Sequence, residues 1–421
     1  MNHVQPVDLM RERSFKIAVA SSGLGHVSRG IEAWAADLGH SLAARGYSVF
    51  LCKGGGSREK SYERVIPCWK RGATKTTKLL QRMPPGLWRL GLSSAHDIEQ
   101  ITFTWNLLKV LRKEEIDLLH VQDPRIAILV QCAHQLGLVR TRAILGHGTN
   151  ESYEFLEKIT YLHQLAPSHL AQAKADGVWK RTWSAIPNFI DTQVFHSGRS
   201  EALRAELGIP ANALVVLTAA AIKREHKRID YLLREFETLR LKRPDLPVWL
   251  LIAGGGEAET AELIEEGSRR LGDRVRFLVQ FPRSRMPDLY RAADLFVFCS
   301  LREMMPIALL EATASGLPCL VHCHPVMEWI VGEGGRKVDM SNATSLASAM
   351  ENIVDDPIAL EQLARAARDQ CTTHFSRDRV LDQIIEYYRF VLSDSEARTG
   401  AIARVGEERC RTHVSGVSAA V

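Results

Sequence analysis

Hydrophobic positions in this chain follow two rhythms that alternate. Residues 15–20 are a short apolar run that leads into the glycine-rich Ser21-Ser22-Gly23-Leu24-Gly25. Over 30–45 the apolar residues Ile31, Trp34, Leu38 and Leu42 recur at three- and four-residue spacing, which puts them on one helical face. Gly46 stops that helix, and a second apolar run follows at 48–52. Strand, glycine turn, helix and strand in this order make a βαβ unit, and such units build parallel sheets. Further strands are predicted at 118–121, 143–145 and 162–166. The pattern restarts near residue 213. Residues 214–218, 248–253, 275–279, 295–299 and 319–321 are short apolar runs, as expected of strands covered on both faces. Helices are predicted at about 229–242, 257–271, 286–292, 307–315 and 376–393. The pattern is therefore two doubly wound α/β halves in tandem, joined somewhere in 186–212. Ligands of such sheets bind beyond the carboxyl ends of the strands.

Composition narrows the class. The chain has 421 residues, 46% hydrophobic and 24% charged, which fits two or three globular domains and excludes collagen, a disulfide miniprotein and a disordered chain. No apolar run reaches the ~18 residues of a membrane-spanning helix. Residues 1–13 lack a signal-peptide core, so a cytoplasmic location is expected. The net charge of +5 favours anionic ligands but is too small for a nucleic-acid footprint. Eight cysteines form no dense framework, in keeping with a reducing compartment.

The densest chemistry lies in Ser300-Leu-Arg-Glu303-Met304-Met305-Pro306-Ile-Ala-Leu-Leu-Glu311-Ala-Thr-Ala-Ser-Gly316-Leu-Pro318. Glu303 falls in the loop after a predicted strand, at the edge where ligands bind. Pro306 suits the first turn of a helix, and Gly316 ends it. The N–H groups near Met304, Met305 and Ile307 can receive a phosphate. Glu303 and Glu311 could hold two parts of one ligand through its hydroxyls. A capped helix with a favourable early Glu is the competing explanation for either Glu alone.

This string resembles the donor-site signature of retaining glycosyltransferases of family 4. The resemblance extends over most of 15–393. It includes Gly30-Ile31-Glu32, Pro187-Asn188-Phe189-Ile190-Asp191, Ala253-Gly254-Gly255-Gly256 and Tyr290-Arg-Ala-Ala-Asp294. It implies the GT-B fold, two Rossmann-like parallel-sheet domains facing a central cleft. The expected organisation is a flexible N-terminus at 1–13, an acceptor domain at 14–187 and a nucleotide-sugar domain at 188–375. A helix at 376–395 returns to the first domain, and a mobile tail follows at 396–421. The implied activity is hexosyl transfer from a nucleoside-diphosphate sugar to an acceptor hydroxyl with retention and without a metal or other cofactor. The acceptor class is left as a sugar, a lipid-linked or a small-molecule acceptor. Glu311 is implied to hold the ribose hydroxyls and Glu303 those of the transferred sugar.

Lys223-Arg-Glu-His-Lys227-Arg228 puts four cations into six residues after the first strand of the second half. A leaving diphosphate needs cations, because charge grows on it as the glycosidic bond breaks. The family has an Arg/Lys pair here. Lys227 fits the Lys, Ala221 or Ile222 stands at the Arg position, and Lys223 is the candidate substitute. Gly23, Gly25 and Gly30 would let backbone approach the diphosphate or the sugar. Gly23-Leu-Gly25-His-Val-Ser28 is not a strict dinucleotide fingerprint, since Ser28 takes the third glycine place. His147, in Leu145-Gly146-His147-Gly148-Thr149-Asn150, matches a family His that contacts the donor sugar near its 6-hydroxyl. Cys319, His322, Cys323 and His324 hint at zinc, but strand alternation sends neighbours to opposite faces and no second half-site follows.

Residues 69–91 carry six Lys/Arg, no acid, and Trp69 and Trp88. That mixture suits an anionic membrane surface or an anionic acceptor, and otherwise a solvated loop. The rival functions are an epimerase or phosphorylase on the same scaffold, and a non-catalytic nucleotide-binding module.

Overall fold

A computed structural model describes residues 15–27, 30–82, 94–149 and 151–394. The expected flexible N-terminus at 1–13, the tail at 396–421, Ser28, Asn150 and the second half of the basic segment with Trp88 lie outside the described residues.

The strands are β1 (Lys16–Ser21), β2 (Ser48–Lys53), β3 (Glu63–Val65), β4 (Leu118–Val121), β5 (Arg142–His147), β6 (Tyr161–Gln164) and β7 (Ser184–Ala185). They continue as β8 (Leu214–Ala219), β9 (Val248–Gly254), β10 (Val275–Val279), β11 (Leu295–Phe298), β12 (Cys319–His322) and β13 (Gly335–Val338). One sheet has the order β3-β2-β1-β4-β5-β6-β7, the other β10-β9-β8-β11-β12-β13. Ile17 of β1 lies opposite Val49 and Leu118, and Leu217 of β8 opposite Leu251 and Phe296, all in parallel pairs. Both sheets are therefore doubly wound. Their order reverses at β1/β4 and at β8/β11, the places where such sheets bind ligands.

The second sheet shows why its strands read as unbroken apolar runs. Val215, Leu217, Trp249, Leu251, Phe296 and Phe298 face one core, while Val216, Leu250, Ile252, Leu295 and Val297 face another. Alternation puts successive residues on opposite faces, and helices cover both. In the first unit the helix Gly30–Ala44 buries Trp34, Leu38 and Leu42 of the predicted stripe and leaves Ile31 half-buried.

Several elements were not predicted: β3, β7 and β13, and the helices Ala95–Lys113, Pro124–Gln135, Ser345–Val354 and Pro357–His374. The sequence of β13 is Gly-Arg-Lys-Val, with both charges exposed, so it has no apolar run to find. Helix Ala95–Lys113 buries Glu99, Gln100 and Thr104 beside Phe103 and Leu107, which breaks the stripe.

The described residues divide into two compact units, those up to 163 with 174–184 and 385–394 in one, and 164–173 with 185–384 in the other. This division differs from an uninterrupted 14–187. Leu165 and Ala166 pack into the core of the second unit. Helix Arg377–Ser393 begins in the second unit and ends in the first. Its start is held by Ile190, whose carbonyl accepts from Arg377 N–H, and by an Arg377–Asp191 ion pair. Its end is held in the first unit by Tyr387 and Tyr388. Tyr387 donates to the Thr182 carbonyl at 2.6 Å, and the Tyr388 hydroxyl lies 2.8 Å from Nδ1 of buried His120. No helix among the described residues is long and apolar enough to cross a membrane.

Candidate functional site

The β8/β11 switch point is built from two loops. After β8 the chain keeps company with the end of β9: Ala220 N–H donates to Ala253 O and Ile222 N–H to Gly255 O. Gly254 has to be glycine, because a Cβ there would stand 1.7 Å from the Ala220 carbonyl oxygen. Ile222 is fully buried in the core. His226 and Arg228 then adopt φ of +68° and +54°, left-handed values that cost non-glycine residues about 1–3 kcal/mol each. Contacts hold them there. Arg228 donates to Met340 O at 2.8 Å and lies 4.1 Å from the centre of the Tyr231 ring, and His226 Nε2 sits 2.9 Å from Arg302 O.

Lys227 stands between these two residues, and its ammonium donates to the Glu303 carboxylate in the loop after β11. The same ammonium lies 5.4 Å from the centre of the Phe298 ring, and His226 Nε2 is 3.5 Å from Glu303 Oε1. Two sequence-predicted residues, 76 positions apart, thus meet directly. Lys223 has no side-chain partner among the described residues.

Helix Ile307–Ala314 starts after Pro306, which is the cap residue rather than part of the first turn. Met304 lies in the loop before it. The Met305 side chain is buried in the core, and its carbonyl accepts from Asn188 at 3.3 Å. Glu311 is buried inside this helix. It accepts from Tyr290 Oη at 2.8 Å and from Arg283 at 3.2 Å. Burial, then the Glu311 charge, pushes the Tyr290 phenol well up, so it stays a donor. Sequence reasoning found Glu311 but missed Tyr290 and Arg283 as its partners, since nothing in their spacing points to a helix twenty residues on.

The first unit has its own switch point at β1/β4. Gly25 has φ of +92°, and a Cβ on it would lie 2.2 Å from Gly55 O. A Cβ on Gly23 would lie 2.1 Å from Glu32 Oε1. These glycines therefore let the loop after β1 rest against the loop after β2 and against helix Gly30–Ala44, of which Gly30 is the first residue. His147 is the last residue of β5, buried, with Nε2 3.5 Å from Glu151. A Cβ on neighbouring Gly148 would come within 2.7 Å of Gln122 Oε1, which places the ends of β4 and β5 side by side.

Beside them lies a polar cluster that the sequence reading missed. Ser22 Oγ donates to Asp123 Oδ1 at 3.0 Å. Burial pushes the Asp123 carboxyl up to about 7, against the Ser22 hydrogen bond and with the help of the Glu32 charge. Arg71 donates to both oxygens of Glu99 and lies 3.9 Å from Glu32, and His26 is 3.1 Å from Glu99. Gln122 and Asp123 directly follow the predicted strand 118–121, so the strand-end rule was a signal that pointed to them.

Cys319 is buried and Cys323 exposed, so the pair does not converge. Among the described residues no three His, Cys, Asp or Glu group to hold a metal.

Residues 199–370 match the family described as glycosyl transferases group 1. The D-inositol 3-phosphate glycosyltransferase of Rhodococcus opacus (strain B4) is 31% identical over 223 residues, 50% of this chain and 50% of that protein. The chain thus spans about half the length of the curated relatives it matches. Sucrose-phosphate synthase from Thermosynechococcus elongatus has a similar structure, with a TM-score of 0.72 at 19% identity over 90% of this chain and 99% of that one. Anabaena Alr3699/HepE in complex with UDP-glucose gives a TM-score of 0.66 at 16% identity, over 89% and 99%.

Proposed function

We propose that this chain, which carries a glycosyl transferases group 1 domain at residues 199–370 on the GT-B fold, transfers a hexosyl group from a nucleoside-diphosphate sugar to an acceptor hydroxyl. The reaction retains the anomeric configuration and needs no metal. The observation that carries this reading is the Lys227–Glu303 pair at the β8/β11 switch point, where such a sheet binds its ligand. The Anabaena protein in complex with UDP-glucose supports a uridine donor.

The roles follow from charge. A leaving diphosphate draws the Lys227 ammonium away from Glu303, and the neighbouring Lys223 adds a second positive charge. The carboxylate so released accepts hydroxyls of the transferred sugar. Glu311 holds the ribose hydroxyls, with Tyr290 and Arg283 fixing its orientation. Met304 and Met305 offer backbone N–H groups to the phosphates at the start of helix Ile307–Ala314. His147 is assigned to the donor sugar. In retaining transfer of this kind the leaving phosphate oxygen takes the acceptor proton, so no protein base is required.

The test is incubation with UDP-glucose and sugar acceptors in excess chelator, with the product anomer read by NMR. Release of UDP with an α-linked product is expected. A β-linked product, or strict dependence on added Mg²⁺ or Mn²⁺, would overturn the mechanism. Interconversion of the sugar without transfer would favour an epimerase. A requirement for inorganic phosphate would favour a phosphorylase.

A further inference from the structure

Three buried polar atoms at the β1/β4 switch point have no hydrogen-bond partner among the described residues: Ser21 Oγ, Gln122 Nε2 and Asp123 Oδ2. Their residues are 0%, 3% and 3% exposed. Ser21 is the last residue of β1, and Gln122 and Asp123 are the first two after β4. Because Ala20 is in register with Val121, all three sit at one sheet edge. A buried donor or acceptor left unpaired is costly, and three at the carboxyl end of a switch point mark a place for a polar ligand.

The charge around that edge limits what the ligand can be. Carboxyl groups come from Glu32 on helix Gly30–Ala44, Glu99 on helix Ala95–Lys113 and Asp123 itself. Among the described residues Arg71 supplies a guanidinium here, and its Nε and Nη2 both donate to Glu99 Oε1 while its backbone N–H donates to Oε2. His26 is also directed to Glu99. Hydroxyls suit such a surface, since they donate to carboxylates and accept from the Gln122 amide. A phosphate there would meet fixed negative charge with its natural cation already taken. Burial and the Glu32 charge favour a neutral Asp123, which can then donate as well as accept.

We propose that this edge of the first unit binds an uncharged polyhydroxylated acceptor, with Gln122 and Asp123 hydrogen-bonding its hydroxyls, and that Glu32 and Glu99 disfavour acceptors bearing phosphate here. This rests on the glycosyl-transfer reading for the word acceptor, but the binding chemistry stands on its own residues.

The experiment measures binding by saturation-transfer NMR on the full chain, with UDP present. The probes are glucose and myo-inositol on one side and glucose 6-phosphate and myo-inositol 1-phosphate on the other. A saturable signal is expected for at least one neutral probe, with its phosphate bound at least tenfold more weakly. Gln122→Leu and Asp123→Leu should weaken the neutral probe at least tenfold. Asp123→Asn, nearly isosteric, covers the case in which the leucine variant fails to fold, and should weaken it several-fold. UDP affinity should be the same in all variants. Tighter binding of the phosphates, no saturable neutral probe, or unaltered binding in every variant would overturn the proposal. Loss of UDP binding by the wild-type chain would count against the donor reading instead, and would show separately from the sugar signals.

Discussion

Glu303 and Glu311 belong to one loop–helix segment, yet their surroundings ask different things of them. Glu303 is partly buried and answers to Lys227 and His226, groups that a diphosphate can recruit. Glu303→Ala should therefore lower kcat by roughly 10²-fold or more while the affinity for UDP changes little. Near-normal turnover by a folded variant would remove its assigned role. Glu311 is buried and accepts from Tyr290 and Arg283, and in the proposed function it holds a ribose diol. Glu311→Ala should weaken binding of UDP itself, measured by calorimetry. If only sugar selectivity changed, the two roles would be reversed. Elsewhere, Glu63 is a structural carboxylate. Burial alone would raise it, but the Lys53 ammonium at 2.8 Å and the Glu59 backbone N–H outweigh this and hold it at about 2. Because its folded value is depressed, its stabilisation is full above about 4.5 and fades as pH falls through about 2. Glu63→Gln should cost on the order of 2 kcal/mol at pH 7 in urea unfolding. A deficit that stays constant from pH 7 to 2 would show that the charge is not the cause.

At the scale of elements, the loop after β8 and the helix Thr74–Arg82 make opposite use of basic residues. In the loop, two left-handed residues are fixed by Met340, Tyr231 and Arg302, so the cations are positioned rather than solvated. In the helix, Lys75, Lys78 and Arg82 lie in nine residues without an acid. Trp69 nearby is 47% exposed, while Arg71 of the same segment turns inward to Glu99. We expect this helix to bring the first unit to an anionic bilayer, each basic residue adding ~1 kcal/mol within a Debye length of ~8 Å. Vesicle co-sedimentation should show binding to anionic but not neutral lipid, falling as salt rises. Lys75→Glu with Lys78→Glu should abolish it. Binding equal on both lipids and indifferent to salt would leave a solvated helix.

For the molecule as a whole, a donor that binds the native state has to stabilise it. At 100 times its dissociation constant UDP-glucose should add ~2.7 kcal/mol, a readily measured rise in Tm, and Lys227→Ala should cut that rise. No shift with UDP-glucose, and none with other nucleotide sugars, would leave the donor reading without support. The doubly wound pattern was legible along the chain, because strands buried on both faces have to be apolar at every position and helices at every third or fourth. The sequence also marked Glu303 and Lys227, which lie in loops after apolar runs, where such sheets meet ligands, while Glu311, inside a helix, was marked only through the resemblance to the donor-site signature. Edge strands such as β13 escaped it, because a half-covered strand needs no apolar run. Which distant residues share a site is not written in spacing and follows from the folded arrangement of the strands. The Lys227 ammonium meets Glu303 because β8 and β11 are neighbours across the switch point. Gln122, Asp123, Glu32, Glu99 and Arg71 come together through packing of segments that are local to none of the others. Spacing along a chain carries secondary structure, whereas burial and charge pairing depend on which strands lie side by side.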